Sequence, residues 1–369
     1  MTAAPGRLVS SSEGAIAAVL LALPSAFLRD SPEAADALFA AAAATGGEVL
    51  AVTHAASAAV VRARAGQGAA VEAVPDDTPL SVWIQDQSLA FSGSARPRLL
   101  AGPRFSVGAL PLDLVLDGPP LLDGGNLLVG ADYALVGADE FAFWRARRAV
   151  PPPEGEGALA AFAADYGLPE RIVVVGGAEP APTPFGSNHP RDDGVWRHDP
   201  WPGIVAKGSR QAVFHVDVHV TPAGRAPDGR PRLLVGDPAL AARLAGLPPP
   251  PEDYAARFDA DAAALAAAGF AVLRNPLPAI GIDHAHRRRR TMHLLSANNA
   301  WVEAEGVATP RAWVPLFAAG PDDPLAAVDD AMLALWAGLG FSTVPVRGLG
   351  ALALRNGGLN CASRILSRR

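Results

Sequence analysis

Apolar residues at helical spacing, many of them alanine, recur over residues 32–44, 157–166, 238–245, 253–268 and 324–339. Short runs rich in β-branched and aromatic residues follow most of them, at residues 48–52, 172–175, 270–273 and 341–346, while 232–235 precedes the helix that begins at Pro238. Helix and strand therefore alternate along the chain, and the predicted class is α/β. A further apolar stretch, residues 15–28, is interrupted by Pro24, follows Glu13 rather than a basic segment and is too short to span a bilayer; it reads as an amphipathic helix. Segments rich in proline and glycine at 150–156, 178–186, 222–231 and 247–252 read as surface connections.

A second set of apolar segments departs from this pattern because each carries polar residues where a buried strand needs none. They are VWIQDQSLAF (82–91), LLDGGNLLVG (121–130), FHVDVHV (214–220), SANNAWVE (296–303) and NGGLNC (356–361). Polar groups that break an otherwise consistent apolar pattern mark a site, and five such strands predict a pseudo-repeat too diverged for identity to reveal. On a strand, His215, Asp217 and His219 would alternate onto one face.

Composition narrows the choice of chemistry. The 369 residues are 50% hydrophobic and 18% charged, as in a globular protein with a large core, and the length alone would suggest about two domains. A net charge of -6 and a pI near 5.8 argue against nucleic acid as a partner, and no segment reads as a membrane span. Cys361 is the only cysteine, which excludes an intrachain disulfide and a multi-cysteine metal site and points to a reducing, cytoplasmic setting. Lys207 is the only lysine, so lysine-centred chemistry would rest on that residue.

Taken singly, each candidate has an ordinary explanation. A free cysteine is commonly a small buried hydrophobe, and Asp86 and Asp123 could be aspartates satisfied by nearby amides. A strand histidine could be purely structural, and the His215-Asp217-His219 alternation could hold a metal with His284 and His286. Together, a thiol after two glycines, a histidine and three carboxylates suit a planar cation. Guanidinium pairs bidentately with carboxylates and resists attack unless it is held and polarised.

Trp83-Ile84-Gln85-Asp86, Asp123-Gly124-Gly125-Asn126, His215-Val216-Asp217, Ser296-Ala297-Asn298-Asn299 and Gly357-Gly358-Leu359-Asn360-Cys361 resemble, in order and spacing, the motifs of the guanidine-modifying pentein superfamily, bacterial peptidylarginine and agmatine deiminases above all. Residues 313–345 are similar to the last helix and strand of those proteins. The resemblance implies a single catalytic domain over residues 1–369, folded as a five-bladed α/β propeller with pseudo-fivefold symmetry. It implies Cys361 as nucleophile, His215 as general acid and base, and Asp86 and Asp217 as guanidinium-binding carboxylates, with no cofactor and no metal. Asp123 and Asn126 would line or support the site and Asn299 would assist, beside Trp83; Arg355, just before the Cys361 loop, could bind a substrate carboxylate or carbonyl through its rigid fork or be structural. Two positions depart from the motifs: Gln85 stands where arginine commonly precedes the aspartate, and Asn360 where histidine commonly precedes the cysteine.

The expected activity is hydrolysis of a guanidinium group, in arginine, an arginine peptide or a small arginine-like compound, to a ureido group such as citrulline plus ammonia. Alternatives are an amidinotransferase of the same fold and a non-catalytic guanidine-binding protein. The partner is the guanidine substrate, and a second copy of the chain is a further candidate. Residues 184–201, dense in polar and aromatic side chains without regular pattern, read as a substrate-selecting lid. The basic run Arg287–Arg290 reads as a solvated loop.

Overall fold

The computed structural model describes residues 6–66, 69–92, 96–101, 113–114, 122–147, 155–176, 186–190, 196–200, 211–284 and 289–369. Among them, five sheets repeat one pairing scheme: a first strand runs antiparallel to a second, which runs parallel to a third. The sheets are Ser88–Ser92, Arg98–Ala101 and Asp113–Leu114; Leu127–Val129, Ala134–Gly137 and Ile172–Val175; Val220–Arg225, Pro231–Asp237 and Ala271–Pro276; Trp301–Glu303, Arg311–Pro315 and Ser342–Val346; and Ser363–Arg368, Ile16–Leu23 and Glu48–His54. The last of these joins the two ends of the chain, and Ala69–Val74 extends it by a further parallel strand.

Parallel neighbours need a crossover, and helices supply it. Ser25–Asp30 and Pro32–Ala43, Ala138–Arg147 and Glu156–Tyr166, Pro238–Ala245 and Glu252–Ala267, and Ala326–Gly338 each lie between a second and a third strand. Pro238–Ala245 has its boundaries written in the sequence. Asp237 accepts a hydrogen bond from Leu240 N at 2.8 Å, Pro238 opens the first turn, and Gly246 closes the helix in the left-handed conformation.

The apolar stretch near the N-terminus is not an amphipathic helix. Ile16–Leu23 is a strand paired on both edges and buried along nearly its whole length, and only Ser25–Asp30 is helical. A strand covered on both faces reads as a continuous apolar run, which periodicity does not separate from a buried helix. The core here is built on that strand: Val19, Leu21 and Leu23 pack with Leu38 and Phe39 of the following helix and with Trp301 and Trp313. Each such side chain contributes about 1.5–3 kcal/mol on burial.

Of residues 222–231, expected as a connection, 226–230 are the turn of a hairpin between Val220–Arg225 and Pro231–Asp237, with Gly229 at φ 84°, while 222–225 and 231 are strand. Within the expected lid, Gly186–Pro190 and Trp196–Pro200 pair as regular antiparallel strands, while its side chains and residues 184–185, 191–195 and 201 lie outside the described residues. Arg289 and Arg290 belong to a strand, Arg289–Leu294, paired with Ala279–His284, rather than to a loop; residues 285–288 and Lys207 lie outside the described residues. Among the described residues no helix is long and apolar enough to cross a membrane.

Candidate active site

The five polar-punctuated segments are not strands through their polar residues. Ile84–Gln87, Gly124–Asn126 and Val216–Val218 are single 3-10 turns, and residues 297–299 and 359–362 are turns. Each leads directly, or within one residue or two, into the first strand of one of the five sheets. Apolar neighbours anchor them: Ile84, Leu122, Val216, Val218, Ala297 and Leu359 are all buried. With those side chains turned into the core, the polar residues between them face the space the turns share. His215 and Asp217 therefore meet through a helical turn, closed by His219 N donating to Val216 O at 3.1 Å, rather than through strand alternation.

The glycines of the motifs are required by close packing. A Cβ on Gly125 would lie 2.7 Å from His215 Nδ1 and 3.0 Å from Asp217 Oδ1, and one on Gly358 would lie 2.9 Å from Asn299 Cβ. One on Gly124 would collide with the Arg364 guanidinium, and one on Gly357 with the Trp83 ring.

Asn299 organises the surroundings of Cys361. Its Nδ2 donates to Asp217 Oδ2 at 2.9 Å and to Cys361 Sγ at 3.1 Å, while its Oδ1 accepts the Cys361 amide at 2.9 Å. Asn360 Nδ2 gives Asp217 Oδ2 a second donor at 2.9 Å, and the thiol lies 3.7 Å from the same oxygen. His215 stands between two carboxylates, with Nδ1 3.6 Å from Asp86 Oδ1 and Nε2 3.6 Å from Asp123 Oδ2. The exposures of these side chains are graded: 7% for His215, 25% for Asp86 and 54% for Asp123, so Asp123 stands at the mouth. Among the described residues, Asp86 Oδ1 and His215 Nδ1 are buried polar atoms with no hydrogen-bond partner. Such atoms are costly unless a ligand or water completes them.

The electrostatics follow from burial and crowding. Burial pushes Asp86 up to about 7, with His215 and Arg364 pulling it down and Asp217 and Asp123 pushing it further up. Burial alone would lower His215, but the 3.6 Å contact with Asp123 and the charges of Asp86, Asp217 and Asp123 outweigh it and raise the imidazole to about 9. Burial raises Asp217, against His215 and the amide donors Asn360 and Asn299. Burial and the neighbouring Asp217 and Asp86 push the Cys361 thiol well above its ordinary value.

Asn126 supports the cluster from behind: its Oδ1 accepts from Gln211 Nε2 and, at 3.3 Å, from the Val216 amide. Trp83 forms a wall, packed on Gly357 and beside the apolar group that contains Cys361. His219 does not join the site. It is buried against Asp261, Nε2 to Oδ2 3.0 Å, so the His215-Asp217-His219 alternation does not converge; His284 side-chain placement and His286 lie outside the described residues. Arg355 is exposed and, among the described residues, makes no contact with the cluster. Sequence reasoning missed Gln211 and Arg364, whose guanidinium donates to Gln85 O and Ser88 O behind Asp86.

No protein-family model matches the sequence, and no curated protein matches it. Solved structures do. One from Porphyromonas gingivalis, provisionally named an arginine deiminase, is 15% identical with 97% of each chain covered and a TM-score of 0.58. The agmatine deiminase of Enterococcus faecalis is 12% identical, over 97% of this chain and 94% of that one, with a TM-score of 0.58. A third, provisionally named a peptidyl-arginine deiminase, is 13% identical over 97% of each chain, with a TM-score of 0.57. At these identities the likeness is one of fold, and this chain has the mixed α/β fold of these solved structures.

Proposed function

We propose that the chain is a cysteine-dependent deiminase that hydrolyses a guanidinium group to a ureido group and ammonia. The five sheets would be the blades of one propeller, a single catalytic domain whose five turns meet at the axis, in a cytoplasmic enzyme. The observation that carries the activity is the convergence of Cys361 with Asp217, Asn299, His215 and Asp86, two of whose buried atoms face each other unpartnered at 3.6 Å. Asp86 and Asp217 would hold the planar cation, and Asp123 at the mouth would guide it.

In the proposed reaction the Cys361 thiol loses its proton to solvent as the guanidinium binds, and the thiolate sulfur attacks the guanidinium carbon and forms a C–S bond. His215 protonates the departing nitrogen as the C–N bond breaks, releasing ammonia and leaving a thiouronium. His215 then takes a proton from water, whose oxygen attacks the same carbon, and the C–S bond breaks to return the thiol. Substrate and water thus become a ureido compound and ammonia, with no change of oxidation state.

The test is ureido-product and ammonia release from free arginine, agmatine, methylated arginines and arginine peptides, with Cys361→Ala alongside wild type. Turnover by wild type and none by the variant supports the reading and identifies the substrate class. Amidino transfer to an added amine, or guanidine binding without conversion, would overturn it.

A further inference from the structure

We infer that Arg364 is a positioning residue for Asp86, and that Gln85 and Arg364 form an exchangeable pair that needs one buried cation between them. The inference rests on the proposed cation-binding role of Asp86. Arg364 lies three residues beyond Cys361 on Ser363–Arg368. Its guanidinium donates to Gln85 O and Ser88 O, and its Nε to Ser88 Oγ at 3.3 Å; that hydroxyl in turn donates to Ile84 O at 2.7 Å. One side chain therefore fastens the turn that carries Asp86, and Gly124 is bare because the guanidinium and Gln85 O fill the space of a Cβ.

A neutral donor could satisfy those acceptors. What arginine adds is charge. Among the described residues it makes no ion pair within contact distance, yet Asp86 and Asp217 both stabilise its cation, and burial lowers it only to about 10, so it stays charged at neutral pH. The groups acting on Asp86 are His215, Asp217, Asp123 and Arg364, and only the first and last favour the carboxylate. Gln85 is buried beside the same guanidinium, its Nε2 donating to Gly124 O at 3.3 Å. Gln85, Gly124, Asn360 and Arg364 line one small cavity of about 40 Å³ with Ser10 and Ser11. A cation carried by either position 85 or position 364 would thus occupy one space behind Asp86.

The experiment compares alkylation of Cys361 by 2-chloroacetamidine, whose amidinium resembles the tip of a guanidine, with alkylation by neutral iodoacetamide. It uses wild type, Arg364→Gln and Gln85→Arg/Arg364→Gln between about pH 6 and 9.5. The expected result is a preference for the amidinium reagent in wild type, reduced about 3- to 10-fold near pH 7 in Arg364→Gln as Asp86 holds its proton to higher pH, and recovered in the double variant. No preference in wild type would sink the cation-binding reading itself. A wild-type preference that Arg364→Gln keeps, with an unmoved pH dependence, would sink only the role given to Arg364. Should Arg364→Gln fail to fold, the double variant decides: recovery of fold and preference supports the exchangeable pair, and failure to recover either overturns it.

Discussion

Replacing Asp123 with asparagine isolates the electrostatics of the site from its scaffold, because Asp123 is the most exposed of its carboxylates, at 54%. Its 3.6 Å contact is the largest of the influences that raise His215 from 6.5 to about 9, and its charge also raises Asp86. Three carboxylates produce the upward shift of His215, so removing the foremost lowers the imidazole by about one unit, a ceiling set by solvent screening at the mouth. The signs agree for both groups: losing a negative charge disfavours His215 in its protonated form and favours Asp86 in its ionised form. In wild type kcat/KM should rise as Asp86 loses its proton near 7 and fall as His215 loses its own near 9. In Asp123→Asn the whole bell should move to lower pH, the basic limb furthest. At pH 9 a drop from 9 to 8 in the histidine takes the protonated fraction from about one half to about one eleventh, roughly a fivefold loss relative to each enzyme's own plateau. The assay is ureido product formation at limiting substrate across the pH range. A basic limb that stays in place would refute the assignment of that limb to His215 coupled to Asp123.

Three other substitutions probe the scaffold. Asn299→Ala removes the donor shared by Asp217 and Cys361 and the acceptor of the Cys361 amide; it should cost about 1–3 kcal/mol in denaturant unfolding and shift thiol alkylation to still higher pH. Gly125→Ala places a methyl 2.7 Å from His215 Nδ1 and should lower kcat while costing about 1–3 kcal/mol, read by turnover and thermal melting together. His219→Asn breaks the buried bond to Asp261 and should lower the melting temperature while leaving the pH profile where it was; a moved profile would place His219 in the catalytic machinery after all.

Most of the crossover helices and third strands were legible because local signals agree there: Ile172–Val175 and Pro238–Ala245 lie where periodicity and capping residues put them, whereas Ala138–Arg147 and Asp113–Leu114 were not read. Ile16–Leu23 was not, since a strand buried on both faces loses the alternation that would identify it. The site was legible as a set of residues and illegible as geometry. Apolar flanks gave away Asp86, Asp217 and Asn299, but a three-residue turn scarcely disturbs an apolar pattern, so strand alternation wrongly drew His219 in. Of the two arginines near Cys361, the sequence singled out Arg355 and passed over Arg364 for a similar reason. Arg355 precedes a turn at which Asn356 takes φ 62°, and it ends exposed, whereas Arg364 follows the cysteine into a strand that carries it behind Asp86. No composition signal distinguishes a buried arginine bonded to carbonyls from one in water; the bare Gly124 that accommodates it was the available trace.

The charges at the centre define what the site lacks. Among the described residues, Asp86, Asp123 and Asp217 face His215 and Arg364, so with all groups ionised the cluster is one positive charge short of neutrality. Burial raises Asp86, and burial together with the neighbouring Asp217 and Asp86 suppresses ionisation of Cys361. Under the proposed function a guanidinium would supply the missing charge at the place where Asp86 Oδ1 and His215 Nδ1 are unpartnered, and the same event would make the thiolate less costly. On that proposal the thiolate would be a product of substrate binding rather than a property of the resting protein. An amidinium reagent should therefore alkylate Cys361 with a shallower dependence on pH than neutral iodoacetamide, because it brings its own cation. Equal slopes for the two reagents would mean that the thiol ionises independently of what occupies the site.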